Sequence, residues 1–276
     1  MTNQALSITD LLEIRHNVMA EKPLIHCITN HISINDCANV VLAVGAKPIM
    51  AEHPLEVSDI TASSKALAVN LGNINDTRMK SILISGKTAL EKNIPSIIDI
   101  VGVGCSNLRL DFTKKFIVEC HPSVIKGNMS ELKALCGMES GAKGIDVGEK
   151  DAVTNDNLLH SIHMLKSLSL QTGSVVAATG VIDIITDGTA TYLIENGCKM
   201  LSMITGTGCM LNVLTAVFIS TKNILSGTVL ATTFMGICGE RSQNEKGTAT
   251  FRTALLDSIF SLSDDEFREK IRYTLK

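Results

Sequence analysis

Short aliphatic runs alternate along this chain with longer segments of helical spacing, and no other feature limits its fold as much. The runs 24–28, 48–50, 66–70, 96–99, 124–126 and 175–179 have strand length and are built on Val, Ile, Leu and Ala. Helical periodicity predicts helices over 9–19, 35–44, 75–93, 128–135, 155–169, 209–220 and 227–242, with a final pair over 250–262 and 264–275. Strand followed by helix, repeated, implies right-handed crossovers and a mainly parallel sheet. Two further runs, 183–186 and 191–194, are split by Asp187-Gly188-Thr189 and predict a hairpin. The sheet should therefore carry a small antiparallel margin.

Composition supports that architecture. With Trp 0, Tyr 2 and Phe 7, the core must be aliphatic, which suits a parallel sheet covered on both faces by helices. No internal repeat, low-complexity tract or Pro-rich linker divides the chain. One three-layer α/β domain spanning 1–276 is expected, with ligands outside the carboxyl ends of its strands.

Several function classes are disfavoured at once. A formal net charge of -3 without a basic run argues against nucleic acid. No segment approaches the ~20 consecutive apolar residues of a membrane span. The first residues carry Asp10, Glu13 and Glu21 and lack a signal-peptide layout, so a cytoplasmic protein is expected. Ser7 and Asp10 instead have the spacing of a capping box. The cysteines, Cys27, Cys37, Cys105, Cys120, Cys136, Cys198, Cys209 and Cys238, show no CxxC pairing and read mostly as buried thiols. Cys209 differs because of its place.

Cys209 lies in Thr205-Gly206-Thr207-Gly208-Cys209, a glycine turn running into the apolar residues Leu211, Leu214, Val217 and Phe218. A helix start leaves its first amides without partners, and Gly206 and Gly208 let them approach a ligand. The peptide dipoles add partial positive charge there, so the turn is a cradle for phosphate.

Four clusters share one topological position, the end of a strand or the start of a helix. His26 to His31 is followed by Asn35 and Asp36, for which helix capping is the expected role, and His26 and His31 are expected to be hydrogen-bonded structural histidines. Asp99 leaves a buried run into a Gly-rich turn, where a carboxylate can meet hydrated Mg²⁺. Lys126 and Glu131 flank Asn128, which has capping-box spacing to Glu131. Thr179 ends the run 175–179, where its hydroxyl can bond a phosphate or cap the turn. No GxxxxGK[ST] loop, complete GxGxxG fingerprint or GxSxG elbow is present.

Taken together, His26-Cys27-Ile28-Thr29-Asn30, Asn35 to Asn39, Gly45 to Met50, Glu56-Val57, Val101 to Gly104, Ile125 to Glu131 and Thr205 to Cys209 closely resemble the signatures of hydroxyethylthiazole kinases. The resemblance runs from about residue 10 to the last helices. It implies a ribokinase-like fold, a homotrimer with sites between subunits, and transfer of the ATP γ-phosphate to the hydroxyl of 4-methyl-5-(2-hydroxyethyl)thiazole in thiamine salvage. It further implies that Met50, Gly206 and Asn30 meet the thiazole alcohol. Lys126 and Thr179 would meet ATP, and Asp99 and Glu131 would lie near Mg²⁺.

Two departures stand out: Ile100 replaces a family proline, which predicts a less rigid metal-side loop, and Asn73 replaces a threonine. Cys209 occupies the place of the aspartate base of related sugar kinases. A thiol, with a reference pKa of ~8.5, is a poor base, and a helix N-terminus that favours thiolate weakens it further. Phosphoryl transfer passes through a loose transition state, so the amides of Gly206 to Cys209 and Lys126 should carry more of the rate than Cys209. Other readings are a kinase for hydroxymethylpyrimidine or a sugar, an ATP-dependent hydrate dehydratase, and a non-catalytic nucleotide sensor.

Overall fold

In the computed structural model, which describes residues 6–138, 153 and 157–276, the strands form one nine-stranded sheet. Its elements are α1 (Ile8–Glu21), β1 (Leu24–Ile28), α2 (Ile34–Ala43), β2 (Lys47–Ile49), α3 (Val57–Ser63), β3 (Ala66–Asn70), α4 (Asp76–Glu91), β4 (Ser96–Asp99), α5 (Asn107–Cys120), β5 (Val124–Asn128) and α6 (Met129–Leu135). They continue with α7 (Leu158–Thr172), β6 (Val175–Thr179), β7 (Asp183–Thr186), β8 (Thr191–Ile194), α8 (Thr207–Ile219), α9 (Ile224–Ser242), α10 (Thr248–Ser261), α11 (Asp264–Lys270) and β9 (Tyr273–Leu275).

The strand order is β2-β1-β3-β4-β5-β6-β7-β8-β9. Pairing is parallel from β2 through β6 and antiparallel from β6 to β9, which gives the expected antiparallel margin. Alternation along the buried strands sends one set of side chains to each face. Cys27, Ala68, Ile97, Val124 and Val175 pack with α1, α2, α8, α9 and α10. Leu67, Val69, Ile98, Ile125 and Val176 pack with α4, α5, α6 and α7. Every residue of α8 from Cys209 to Ile219 is buried, because the helix is covered by the sheet on one side and by α2 and α9 on others.

Several expected boundaries shift. The helix expected over 155–169 is α7, and residues 155 and 156 lie outside the described residues. Helix α8 begins at Thr207 rather than at Cys209, and α9 at Ile224 rather than Gly227. The predicted terminal helix 264–275 stops at Lys270, and 273–275 is strand β9. The open edge of β8 decides this, because Tyr273 and Leu275 pair with Ile194 and Tyr192, and the two tyrosine rings meet edge-on at 5.8 Å.

Helices α3 and α5 were not expected from periodicity. Helix α3 is only 7 residues long. Helix α5 hides its pattern among charged residues, yet Phe112, Phe116, Ile117 and Cys120 line one buried face. That face sits on α4 at Gly86, where an added Cβ would lie 2.6 Å from both Cys120 Sγ and Phe116.

Gly86→Ala should therefore destabilise the protein by about 1–3 kcal/mol through overpacking, even though alanine is the better helix former. Urea unfolding monitored by circular dichroism checks this, and an unchanged or raised midpoint would contradict the packing.

Candidate active site

Three neighbouring strands place polar side chains in one row at their carboxyl ends. Asn70 of β3 registers with Asp99 of β4, and Asp99 with Lys126 of β5, so the three side chains share the face that looks toward α8. Asp99 Oδ2 accepts hydrogen bonds from Asn70 Nδ2 at 3.0 Å and from Lys126 Nζ at 2.9 Å. Asp99 and Lys126 are only 3% and 4% exposed, so each depends on the other for charge compensation. Burial alone would depress the Lys126 ammonium. Asp99, its hydrogen bond and Glu131 outweigh that and hold its pKa above the ordinary value.

The N-terminus of α8 opens beside this row. Gly206 is its N-cap with φ of +94°, and an added Cβ would lie 2.9 Å from Ser33 Cβ, so both conformation and space require glycine. No side chain caps the helix, and Met210 N is the amide that donates back to Gly206 O, at 2.8 Å. The Cα-side of exposed Gly208 faces Lys126, since a Cβ built there would lie 3.6 Å from Nζ. The leading amides of α8 thus open at exposed Gly208 beside a buried ammonium.

Cys209 is buried, and its Sγ accepts from Asn70 Nδ2 at 3.5 Å. Here the thiolate expectation is corrected. Burial pushes the Cys209 pKa up, Asp99 pushes it further, and Ser33, Lys126 and Asn70 only partly oppose them. The helix start does not produce a thiolate because the sulfur sits in the core rather than in the open space.

Glu131 serves two loops. The expected capping box is complete: Glu131 N donates to Asn128 Oδ1 at 2.9 Å and Asn128 N donates to Glu131 Oε2 at 2.8 Å. Gly102 N also donates to Oε1 at 2.8 Å, which ties the loop after β4 to the start of α6. Burial, then the field of Asp99, lifts the Glu131 pKa to about 7 against the pull of those amides and Lys126. Among the described residues no group of three or more His, Cys, Asp or Glu side chains is arranged to cage a metal ion. Two buried carboxylates sharing a single lysine leave a local deficit of positive charge. That donor set fits a largely hydrated divalent ion, which needs only one or two carboxylates.

The loop with the family-atypical Ile100 is not loosened. Ile100 is fully buried, and its amide donates to Lys126 O at 2.9 Å, a bond proline cannot make. Asn73 has φ of +52°, a conformation that asparagine tolerates better than the β-branched threonine.

The remaining expected residues fall on the same sheet edge. Thr179 ends β6, half-buried and in register with Asn128. Met50 follows edge strand β2 and packs, half-buried, against the core. Asn30 follows β1, accepts from Ile32 N at 3.0 Å, and lies against Gly72. His26 is structural as expected, bonded to Thr61 Oγ1 at 2.8 Å and Ala51 O at 2.9 Å. The capping roles expected of Asn35 and Asp36 are not found. Ser33 is the N-cap of α2, Asn35 accepts from Asn39, and Asp36 pairs with Arg252. His31 is exposed, with Nε2 3.6 Å from Glu52.

The sequence reading missed Asn70 and Arg78. Asn70 was legible as the polar end of an apolar run, as Asp99 was. Asp183 lies at the turn after Thr179, where its Oδ1 accepts from Gly180 N at 2.8 Å.

A family model for the hydroxyethylthiazole kinase family matches residues 15–265. The chain belongs to the hydroxyethylthiazole kinase family. It is 67% identical over 261 residues to Hydroxyethylthiazole kinase 2 of Clostridium botulinum (strain Langeland), covering 95% of this chain and 98% of that one. Among solved structures, hydroxyethylthiazole kinase from Pyrococcus horikoshii OT3 superposes with a TM-score of 0.87 at 26% identity, over 97% of this chain and 99% of that one. A ribokinase-like superfamily protein from Enterococcus faecalis V583 gives 0.61 at 12% identity, over 92% and 94%, and shares the fold. In this family member, as the sequence predicted, the sheet is mainly parallel with an antiparallel edge and flanking helices.

Burial lifts the Asp183 pKa from 3.8 to about 7, with Gly180 N and Lys126 opposing. A carboxyl raised in the folded state binds more protons there than in the unfolded chain. Its stabilising contribution is therefore present at low pH and lost as pH rises through about 7. In urea titrations between pH about 5 and 8, Asp183→Asn should remove part of the wild-type fall in stability with pH. Identical slopes for the two proteins would contradict the assignment.

Proposed function

We propose that this chain transfers the γ-phosphate of ATP to the primary hydroxyl of 4-methyl-5-(2-hydroxyethyl)thiazole, acting in thiamine salvage as one catalytic domain over residues 1–276. The observation that carries this reading is the uncapped start of α8 opening beside the Lys126–Asp99 pair. A transferring phosphoryl group spreads negative charge over its oxygens, and pre-oriented amides with a fixed ammonium stabilise that charge without reorganising.

Roles follow from place. Lys126 and Thr179 hold the nucleotide phosphates from β5 and β6. The amides of Gly206 to Cys209 receive the migrating group. Asn30 and Met50, on the loops after β1 and β2, hold the thiazole alcohol together with Gly206. Strands lie about 4.8 Å apart, so Met50 on the β2 side is about 19 Å across the sheet from β5. That separation gives donor and acceptor separate places along the sheet's carboxyl edge. Asp99 and Glu131 would hold Mg²⁺, which when bound neutralises phosphate charge.

Cys209 is protonated and buried, so it shapes the site beside Asn70 rather than accepting the hydroxyl proton. A kinase for a sugar or hydroxymethylpyrimidine would place a carboxylate there, and none is present at that position. The acceptor end also fits the proposed homotrimer. Ile32 and Leu55, on the loops of Asn30 and Met50, and Met203 before the glycine turn are 65%, 86% and 57% exposed, surfaces that a neighbouring subunit would cover.

A coupled assay of ADP release tests the reaction, with the thiazole alcohol expected to outpace hydroxymethylpyrimidine and a pentose. Cys209→Ser should keep kcat within about 10-fold of wild type, while Lys126→Met should lose about 100-fold or more. Complete inactivity of folded Cys209→Ser would overturn the role given to the thiol. Sedimentation should show a trimer, and a fully active monomer would contradict a shared site.

A further inference from the structure

Arg78, in the first turn of α4, is 1% exposed, and its guanidinium is spent almost entirely on main-chain carbonyls. Nη1 donates to Gly72 O and to Asn73 O, the latter at 3.0 Å, and Nη2 donates to Thr29 O at 2.7 Å and Asn70 O at 3.2 Å. Nε lies 3.3 Å from Glu52 Oε1, though without hydrogen-bond geometry, so the buried guanidinium and the half-buried carboxylate form a charge pair. The segments joined this way are the loop after β1, the loop after β3 and the loop after β2. The first and last of those loops carry Asn30 and Met50, and Asn70 is the last residue of β3, where the second begins. Asn30 follows Thr29 directly, and its amide nitrogen lies 2.5 Å from where a Cβ on Gly72 would be. Ser81 Oγ, three residues along α4, donates to Glu52 O at 2.6 Å and fixes the third loop from the same helix.

We propose that Arg78, with Glu52, is the positioning residue of the acceptor half of the site, setting the affinity for the thiazole alcohol and leaving the nucleotide half untouched. This rests on the reading of Asn30 and Met50 as acceptor contacts. The nucleotide half lies on β5 and β6, where Arg78 makes no bond; Arg78 meets Asn70 only at its main-chain oxygen, while the Asn70 side chain that reaches Asp99 is placed by the β3–β4 ladder. Removing the guanidinium orphans several buried carbonyls and leaves Glu52 without its cation, so the three loops lose their common anchor. Lysine cannot substitute, because a compact ammonium lacks the planar fork that reaches carbonyls on two sides.

The test compares wild type, Arg78→Lys and Arg78→Ala by initial rates of ADP release, varying the thiazole alcohol and ATP separately, with circular dichroism confirming the fold. Arg78→Lys should raise KM for the thiazole alcohol about 10- to 100-fold while KM for ATP stays within about 2-fold. In Arg78→Ala, millimolar guanidinium should restore acceptor KM at least in part, and an alkylammonium of similar size should not. Equal shifts in both KM values, or a loss confined to kcat, would overturn the proposal. So would failure of guanidinium in a folded Arg78→Ala protein, and where that variant does not fold the Arg78→Lys result decides alone. Wild type that releases no ADP with the thiazole alcohol would instead sink the functional reading, a result visible before any variant is made.

Discussion

The Lys126–Asp99 pair is the interaction on which the site depends. Moving either charge out of water costs several kcal/mol, and the pair persists only because its surroundings repay that cost. Asn70 donates to the same Asp99 oxygen, and the registers of β3, β4 and β5 bring all three groups together without any loop having to move. Glu131 adds a second carboxylate to the same field, and burial, then Asp99, holds its proton to about 7. Two carboxylates facing one ammonium cannot by themselves welcome a triphosphate. On the proposed reading, a divalent cation accompanying the phosphates would make the arrangement attractive to one. Even then the amides of α8, which carry no full charge and cannot be neutralised, must complete the cradle.

The strands supply fixed positions, but loops carry the groups between them. Two buried or half-buried arginines manage those loops by taking up carbonyl oxygens. Arg78 gathers the ends of β1 and β3, and Arg109 Nη1 donates to Leu71 O at 2.7 Å and Val101 O at 2.8 Å, joining the β3 and β4 loops. Glu131 does the complementary work with its carboxylate, accepting amides from Gly102 and Asn128. The carboxyl edge from β1 to β5 is thus cross-linked by side chains that are themselves buried or half-buried. Preorganisation of this kind lets a site bind charge without the reorganisation that water would demand.

Much of this was legible in the residues. Short aliphatic runs gave β1 through β8, since strands buried on both faces need continuous apolar sequence. Asp99, Lys126, Thr179 and the glycine turn were singled out because each ends a run or opens a helix, and the structure brings them to one edge. What stayed hidden depends on partners distant in sequence. Strand β9 exists because β8 has a free edge, and nothing within 273–275 announces that. Arg78 looks like any charged residue in the first turn of an amphipathic helix, and only the carbonyls of Thr29 and Asn70 reveal its purpose. The capping role expected of Asp36 failed for the same reason, because Arg252 of α10 competes for the carboxylate.

Cys209 shows how the surroundings decide chemistry that residue type suggests wrongly. A cysteine near a helix start invites the inference of a thiolate, since the dipole favours negative charge. The dipole acts on whatever the leading amides face, however, and Gly208 at that end is exposed and lies by Lys126, while the sulfur is buried. Cys209 points instead toward Asn70 and Ser33, inside the contact between α8 and the sheet, with Asp99 close enough to oppose a second negative charge. A protonated thiol at this place leaves the charge balance of the pair intact, whereas a carboxylate would compete with Asp99 for the same lysine. With a loose transition state, the acceptor hydroxyl need not surrender its proton early, so a site without a strong base forfeits little. The local electrostatics therefore favour the small neutral side chain, and in the proposed reaction the burden of catalysis would fall on the amides of α8 and the Lys126 ammonium.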